Sequence, residues 1–220
     1  VIASIVLWLG LLSALAGLVM LVRWRRAGRL LFIYGVTAVV IALLWPALSQ
    51  SPTGDGSHLD RLMPSFQFSE RHAIHVDAPP ERVYAAIRAV TAGDIRFFRT
   101  LTAIRRLGRP LPPGILHAPE SEPILDLATR TSFHWLANDP PRELVVGTRV
   151  ARDIDATMNF LVTPDGRGGS NVSTETRVYA ATDAATRKFK VYWRIILPGS
   201  DIIRRSWLRA IKRRAETPSS

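Results

Sequence analysis

The first 48 residues constrain the chain more than any other feature. Residues 1–22 carry no charge, and residues 30–48 form a second uncharged, mostly apolar run. The seven residues between them hold Arg23, Arg25, Arg26 and Arg29. A bilayer core about 30 Å thick is crossed by about 20 apolar residues at a helical rise of about 1.5 Å. Both runs meet that length, and the connection is short enough only for a tight hairpin. A cleaved signal peptide is the competing reading, but its apolar core is usually about 7–15 residues and would not be followed by a second run. The expectation is therefore an integral membrane hairpin over 1–48. Arginines packed between two spans are retained on the cytoplasmic side, so everything after the second span is expected outside the cytoplasm.

Residues 49–63 are rich in Ser, Pro, Gly and Asp without periodicity and read as a linker. A soluble domain over 64–220 follows. Phe66, Phe68, Ile74 and Val76 share one parity, the pattern of a half-buried strand. Prolines 79 and 80 then introduce a helix carrying Val83, Ala86, Ile87 and Val90. A second helical stretch is expected over 95–107, a proline-rich loop over 110–122, and one short helix over 123–129. Beyond that point alternation dominates. Strands are expected over 131–137, 143–152 (with the run Leu144, Val145, Val146), 156–163 and 170–182. The Asp165-Gly-Arg-Gly-Gly169 stretch is a hairpin signal joining the last two. Residues 184–215 read as a long helix bent near Pro198-Gly199, with Ser200 available to cap its second half. Its apolar positions Phe189, Tyr192, Trp193 and Ile196, then Ile203, Trp207, Ala210 and Ile211, lie on one side and suit it to cover the sheet.

Three pieces of this pattern, Arg71-His-Ala-Ile-His-Val-Asp-Ala-Pro-Pro-Glu-Arg-Val-Tyr84, the Thr174-Glu-Thr-Arg-Val178 strand and the amphipathic last helix, resemble the SRPBCC superfamily of START-like, helix-grip proteins. The resemblance covers roughly residues 66–216. It implies an α+β helix-grip fold, a curved antiparallel sheet around the long C-terminal helix, here preceded by two transmembrane helices. It also implies a hydrophobic cavity between sheet and helix that takes lipids, sterols, polyketides or other apolar ligands. A minority of members are enzymes, and fold alone does not choose among these roles.

The residue chemistry argues against most catalytic classes. With no cysteine there is no disulfide, zinc-thiolate site or thiol nucleophile. His72 and His75 are three apart on a strand, so their side chains leave opposite faces and cannot share a metal. No phosphate loop and no Gly-x-Ser-x-Gly turn occurs. Neither a catalytic set, a metal nor a cofactor is therefore expected. An apolar pocket needs only a few placed polar groups, and His72, Thr174 and Thr176 are the candidates if their parity faces inward. Phe133, Trp135, Phe160, Tyr192 and Trp193 are the aromatic candidates, with plain core packing equally compatible.

The formal charge is +11, and residues 186–216 hold ten basic residues against Asp201 and Glu216. Arg205, Arg209, Lys212 and Arg213 fall on the side of the last helix away from its apolar stripe. They read as a solvated face or as a surface for anionic lipid. Nucleic acid is not expected, because no recognition motif accompanies the charge. The combined expectation is a membrane-anchored, non-catalytic binding protein for a hydrophobic or amphipathic small molecule or lipid. The alternatives are a cyclase- or hydrolase-like enzyme on the same fold, with His72 its candidate group, and a tethered interaction module with a vestigial cavity.

Overall fold

A computed structural model describes residues 2–22, 24–52, 54, 56–105, 114 and 117–217. Arg23, Leu107 and the prolines 110, 112 and 113 of the expected loop lie outside the described residues. The chain divides into two compact units, Val1–Leu48 with Asp183–Pro198, and Ser49–Thr182 with Gly199–Ser220.

The first unit is built on α1 (Ile2–Met20) and α2 (Arg25–Leu44), two helices long and apolar enough to cross a membrane. Their contact is made by glycines. A Cβ placed on Gly35 would stand 2.3 Å from the backbone N of Ala14, and one on Gly17 would stand 2.4 Å from that of Phe32. Only a residue without a side chain permits such approach. The large residues instead point outward: Leu9, Leu15, Leu30, Ile33 and Leu44 are all exposed. Helices whose big apolar side chains face away from their partner bury that surface in lipid or not at all.

The second unit is a five-stranded antiparallel sheet, β1 (Phe68–Val76), β2 (His134–Asp139), β3 (Glu143–Ala151), β4 (Ile154–Pro164) and β5 (Ser170–Ala180), in spatial order β1-β5-β4-β3-β2. Helices α4 (Pro80–Ala89), α5 (Phe98–Arg105) and α6 (Ile124–Thr131) lie between the first two strands in sequence. Pro80 opens α4, where a missing N–H costs nothing. The second half of α7 (Asp183–Glu216) completes the unit. Its Trp207, Leu208, Ala210, Ile211 and Ala215 enter one core with Val76, Leu144, Val146, Met158, Phe160, Val162 and Val172. This is the helix-grip arrangement.

Four expectations are corrected. The last helix covers the sheet only from residue 199 onward, since Asp183–Pro198 belongs with the hairpin unit. The helix also runs unbroken through Pro198, so Ser200 is not a cap. The stretch 95–107 is shorter than its pattern, with a 3-10 turn at Ala92–Asp94 and α5 beginning only at Phe98. Finally, part of the expected linker carries regular structure. Ser57 caps a short helix α3 (His58–Leu62), and Gln50 bridges to Phe66.

That strap rests on the sheet face opposite α7. The fully buried Glu143 carboxylate accepts from the backbone N–H of His58 at 2.6 Å and of Leu59 at 3.3 Å, and from Asn159 Nδ2 at 2.7 Å. Arg177 Nη2 reaches Asp60 Oδ1 at 2.7 Å, Arg177 Nε reaches Glu175 Oε1 at 2.6 Å, and the guanidinium lies over Phe66. Both faces of β3 and β4 are thereby buried over most of their length, which is why these strands show continuous rather than alternating burial.

Candidate functional site

The even-numbered residues of β1 and β5 face α7, and the register places His72 opposite Thr174 and Glu70 opposite Thr176. Two residues apart on one strand, Glu70 and His72 project from the same face. Glu70 Oε1 lies 2.9 Å from His72 Nε2, with side chains only 5% and 10% exposed. The other Glu70 oxygen accepts from the Ser200 hydroxyl at 2.6 Å, so the residue expected to cap a helix instead ties α7 to β1. Asp201 Oδ1 is 3.5 Å from the same His72 nitrogen. His75 leaves the opposite face, as its parity requires, and pairs with Asp77 at 3.1 Å.

Glu70, His72 and Asp201 bring three potential metal-ligand atoms within 4.8 Å of one another. Their charge surroundings, however, are those of an ion-pair cluster. Arg205 Nε takes both Asp201 oxygens at 2.9 and 3.0 Å, and Arg204 faces Glu70 electrostatically. Two guanidiniums beside two carboxylates leave little attraction for a divalent cation.

Arg204 is the most unusual residue of this region. One turn along α7 from Ser200, it sends Nη2 to Thr176 Oγ1 at 2.7 Å and Nη1 to the sulfur of Met158. Part of the side chain remains accessible, but no carboxylate bonds its guanidinium among the described residues. Burial pushes its pKa down to about 10, with Glu70 opposing and Arg105 reinforcing that shift. Desolvating a cation with no carboxylate bonded to it is costly, and a thioether is a poor acceptor. The next turn brings Trp207, whose ring lies 5.7 Å from the Arg204 guanidinium. Its indole Nε1 is buried with no hydrogen-bond partner among the described residues. The site thus holds one unpartnered donor, Trp207 Nε1, beside a guanidinium bonded to a hydroxyl and a weak thioether acceptor.

Where the hollow was expected, the described residues place packed side chains. Phe160, fully buried, meets Trp207 edge-on at 5.1 Å between centroids, and Ile211 and Leu208 belong to the same core. Two open surface depressions are resolved among the described residues instead. One is of about 340 Å³ beside Asp94 and Arg213, the other of about 400 Å³ beside His75 and Asp165.

The sequence-derived candidates therefore separate. His72, Thr174 and Thr176 come together on the inner face, and Thr174 is satisfied by the Asn159 carbonyl at 2.8 Å. Phe160 is core. Phe133 packs partly buried against that core, just before β2 begins. Trp135 is 37% exposed beneath Arg88, because the strand register shifts between Trp135 and Ala137 and breaks the alternation. Tyr192 and Trp193 lie in the hairpin unit, where both stack on Phe189. Of the expected basic face, Arg205 pairs with Asp201 and Lys212 with Glu216, while Arg213 donates to the Asp94 carbonyl. Arg209 remains exposed. Three of the four cations are thus already engaged within the fold.

Glu70 and Arg204 are the residues that sequence reasoning missed. Glu70 shares the parity of His72. Arg204 sits at i, i+3, i+4 and i+7 to Trp207, Leu208 and Ile211, on the apolar stripe rather than across from it. Either spacing was a usable signal.

No family model matches the sequence, and no curated protein matches it. Among solved structures the chain is similar to CalU16 from Micromonospora echinospora, at 18% identity and a TM-score of 0.30, covering 67% of this chain and 83% of that one. It is similar to the di-domain ARO/CYC StfQ of the steffimycin biosynthetic pathway at 14% identity and a TM-score of 0.42, covering 87% of this chain and 59% of that one. It is also similar to Ara h 8.0201, at 14% identity and a TM-score of 0.35, covering 67% and 97%.

Proposed function

We propose that this chain is a membrane-anchored binding protein for a small amphipathic molecule whose acceptor-rich, anionic head meets Arg204. The observation that carries the reading is the Arg204 guanidinium itself, desolvated on the inner face and bonded, among the described residues, to a hydroxyl and a thioether. A ligand carboxylate or phosphate supplies the missing acceptor through a charge-assisted hydrogen bond. Trp207 Nε1, one turn further, is a donor with no hydrogen-bond partner among the described residues. Glu70, His72 and Ser200 hold one another and set the polar edge of the site. With Phe160 and Trp207 in edge-on contact below this edge, the ligand is gripped by its head. The two apolar helices of the hairpin anchor the domain in the bilayer, the arginine connection remaining cytoplasmic and the domain outside.

The test is native mass spectrometry of the full-length protein released from lipid nanodiscs. A defined anionic species bound one to one, and lost in Arg204→Met, is the expected result. No bound species, or one retained equally by the variant, overturns the reading. A second reading, a tethered interaction module with a vestigial cavity, is favoured by the packing of Phe160 against Trp207 in the core. It gains from the same experiment if the protein emerges empty.

A further inference from the structure

The first half of α7, Asp183–Pro198, belongs to the same unit as α1 and α2, and its contacts there point to another role. Arg194, 5% exposed, donates from Nη1 to the carbonyls of Ala42 and Leu43 and from Nη2 to that of Trp45, the Leu43 bond at 3.2 Å and the Trp45 bond at 2.6 Å. These are the carbonyls left unpaired at the C-terminal end of α2. A cation there also opposes the negative end of the helix dipole. Asp183–Pro198 is thus pinned to the point where the second apolar helix ends.

The segment is amphipathic in an unusual sense. Phe189, Trp193 and Leu197 recur at i, i+4 and i+8 and are buried. The opposite face holds Val191 and Ile195, 37% and 48% exposed, with Tyr192 at their flank. Arg187 and Lys188 stand one turn before them and are exposed. Lys190 lies nearby, its pKa lowered by burial and then by the repulsion of Arg194 and Arg187. Asp183 is the single acid of this stretch. A row of exposed aliphatics preceded by cations, fixed to the end of an apolar span, is the pattern of a helix lying in a lipid interface.

We propose that Asp183–Pro198 is an interfacial helix, its Val191–Ile195 face seated at the headgroup boundary of an anionic bilayer and its Arg187 and Lys188 among the headgroups. The proposal rests on the membrane-anchored part of the reading above. Its occupant is the lipid surface in which α1 and α2 stand. It assigns membrane electrostatics to residues 187–190 rather than to Arg205, Lys212 and Arg213, which are already paired.

The absence of cysteine makes the test direct. Single-cysteine variants Val191→Cys and Ile195→Cys of the full-length protein carry a nitroxide label in nanodiscs of mixed neutral and anionic phospholipid. Collision rates with oxygen, which partitions into lipid, and with a water-soluble nickel chelate are compared. Leu15→Cys on α1 is the lipid reference and Tyr179→Cys on β5 the water reference. The oxygen-to-nickel ratio at 191 and 195 is expected to exceed that at 179 several-fold and to stay below that at 15. Values equal to those at 179 overturn the interfacial placement alone. Exclusion of both reagents, the mark of a covering protein surface, overturns it as well. A water-accessible label at Leu15 sinks the spans and this inference together. Removing the anionic lipid is expected to lower the ratio at 195 in the native-charge protein and to change it less in R187Q/K188Q. An equal change in both refutes the electrostatic part.

Discussion

Arg177 of β5 and Asp60 of α3, 117 residues apart in sequence, are joined by a 2.7 Å hydrogen bond on the sheet face that α7 does not cover. The Arg177 side chain is 1% exposed and that of Asp60 11%. Burial works to lower the guanidinium pKa, and the bonds to Glu175 and Asp60 outweigh it, leaving the pKa raised. The pair turns a turn-rich, aperiodic segment into an ordered strap across the strands.

Removing the cation leaves Glu175 and Asp60 facing each other with no counter-charge. Arg177→Met is therefore expected to destabilise the sheet unit by about 3–5 kcal/mol, the range for breaking a buried pair. Asp60→Ala leaves Arg177 its Glu175 partner and should cost less, about 1–3 kcal/mol. Denaturant titration of the full-length protein measures both. Hydrogen exchange separates them, since D60A should lose protection at residues 58–63 while the strands keep theirs. Unchanged protection at 58–63 would show that Glu143 alone holds the strap.

Arg204 gives the opposite expectation. A folded-state pKa depressed to about 10 means that the folded protein binds this proton less tightly than the unfolded chain does. The sign follows from linkage: the penalty is fully present below about pH 10 and is relieved only as pH rises toward the unfolded value. Arg204→Met should accordingly raise stability at neutral pH, on the order of 1–3 kcal/mol, with a gain that stays flat from about pH 5 to about pH 9. Thermal melts across that range test it. A less stable variant would mean that the guanidinium is better satisfied than its neighbours indicate, and would remove the reason for placing a ligand there.

The hairpin offers a steric test. A side chain on Gly35 would overlap the backbone at Ala14, and one on Gly17 the backbone at Phe32. Gly35→Leu should therefore force α1 and α2 apart, whereas Ile33→Leu on the exposed side should change nothing. Distances between paired spin labels on the two helices in nanodiscs read this out. An unchanged separation in G35L would count against the glycine contact.

Much of the layout is legible in the sequence. Apolar runs of bilayer length, period-two alternation in β1, β4 and β5, and helical spacing in 184–215 mark the elements, because each pattern reports a local backbone geometry meeting one buried side. Parity put His72, Thr174 and Thr176 on like faces of their strands, and the register between β1 and β5 brought them together. That β3 is buried on both faces does not follow from the run Leu144, Val145, Val146, because nothing local names what covers the second face.

What lay beyond the sequence was every choice of partner. The pattern of α7 is amphipathic from end to end, yet Arg194 commits its first half to the α2 terminus and Ser200 commits its second half to Glu70. Periodicity shows that a face must be covered and is silent on by what. Likewise, composition supplied the aromatics, but only the tertiary structure brought Phe160 and Trp207 edge-on in the core. Long-range side-chain pairing selects among surfaces that are equivalent in one dimension, so it is the tertiary structure that left Arg204 bonded to a hydroxyl and a thioether and gave Arg177 two bonded carboxylates.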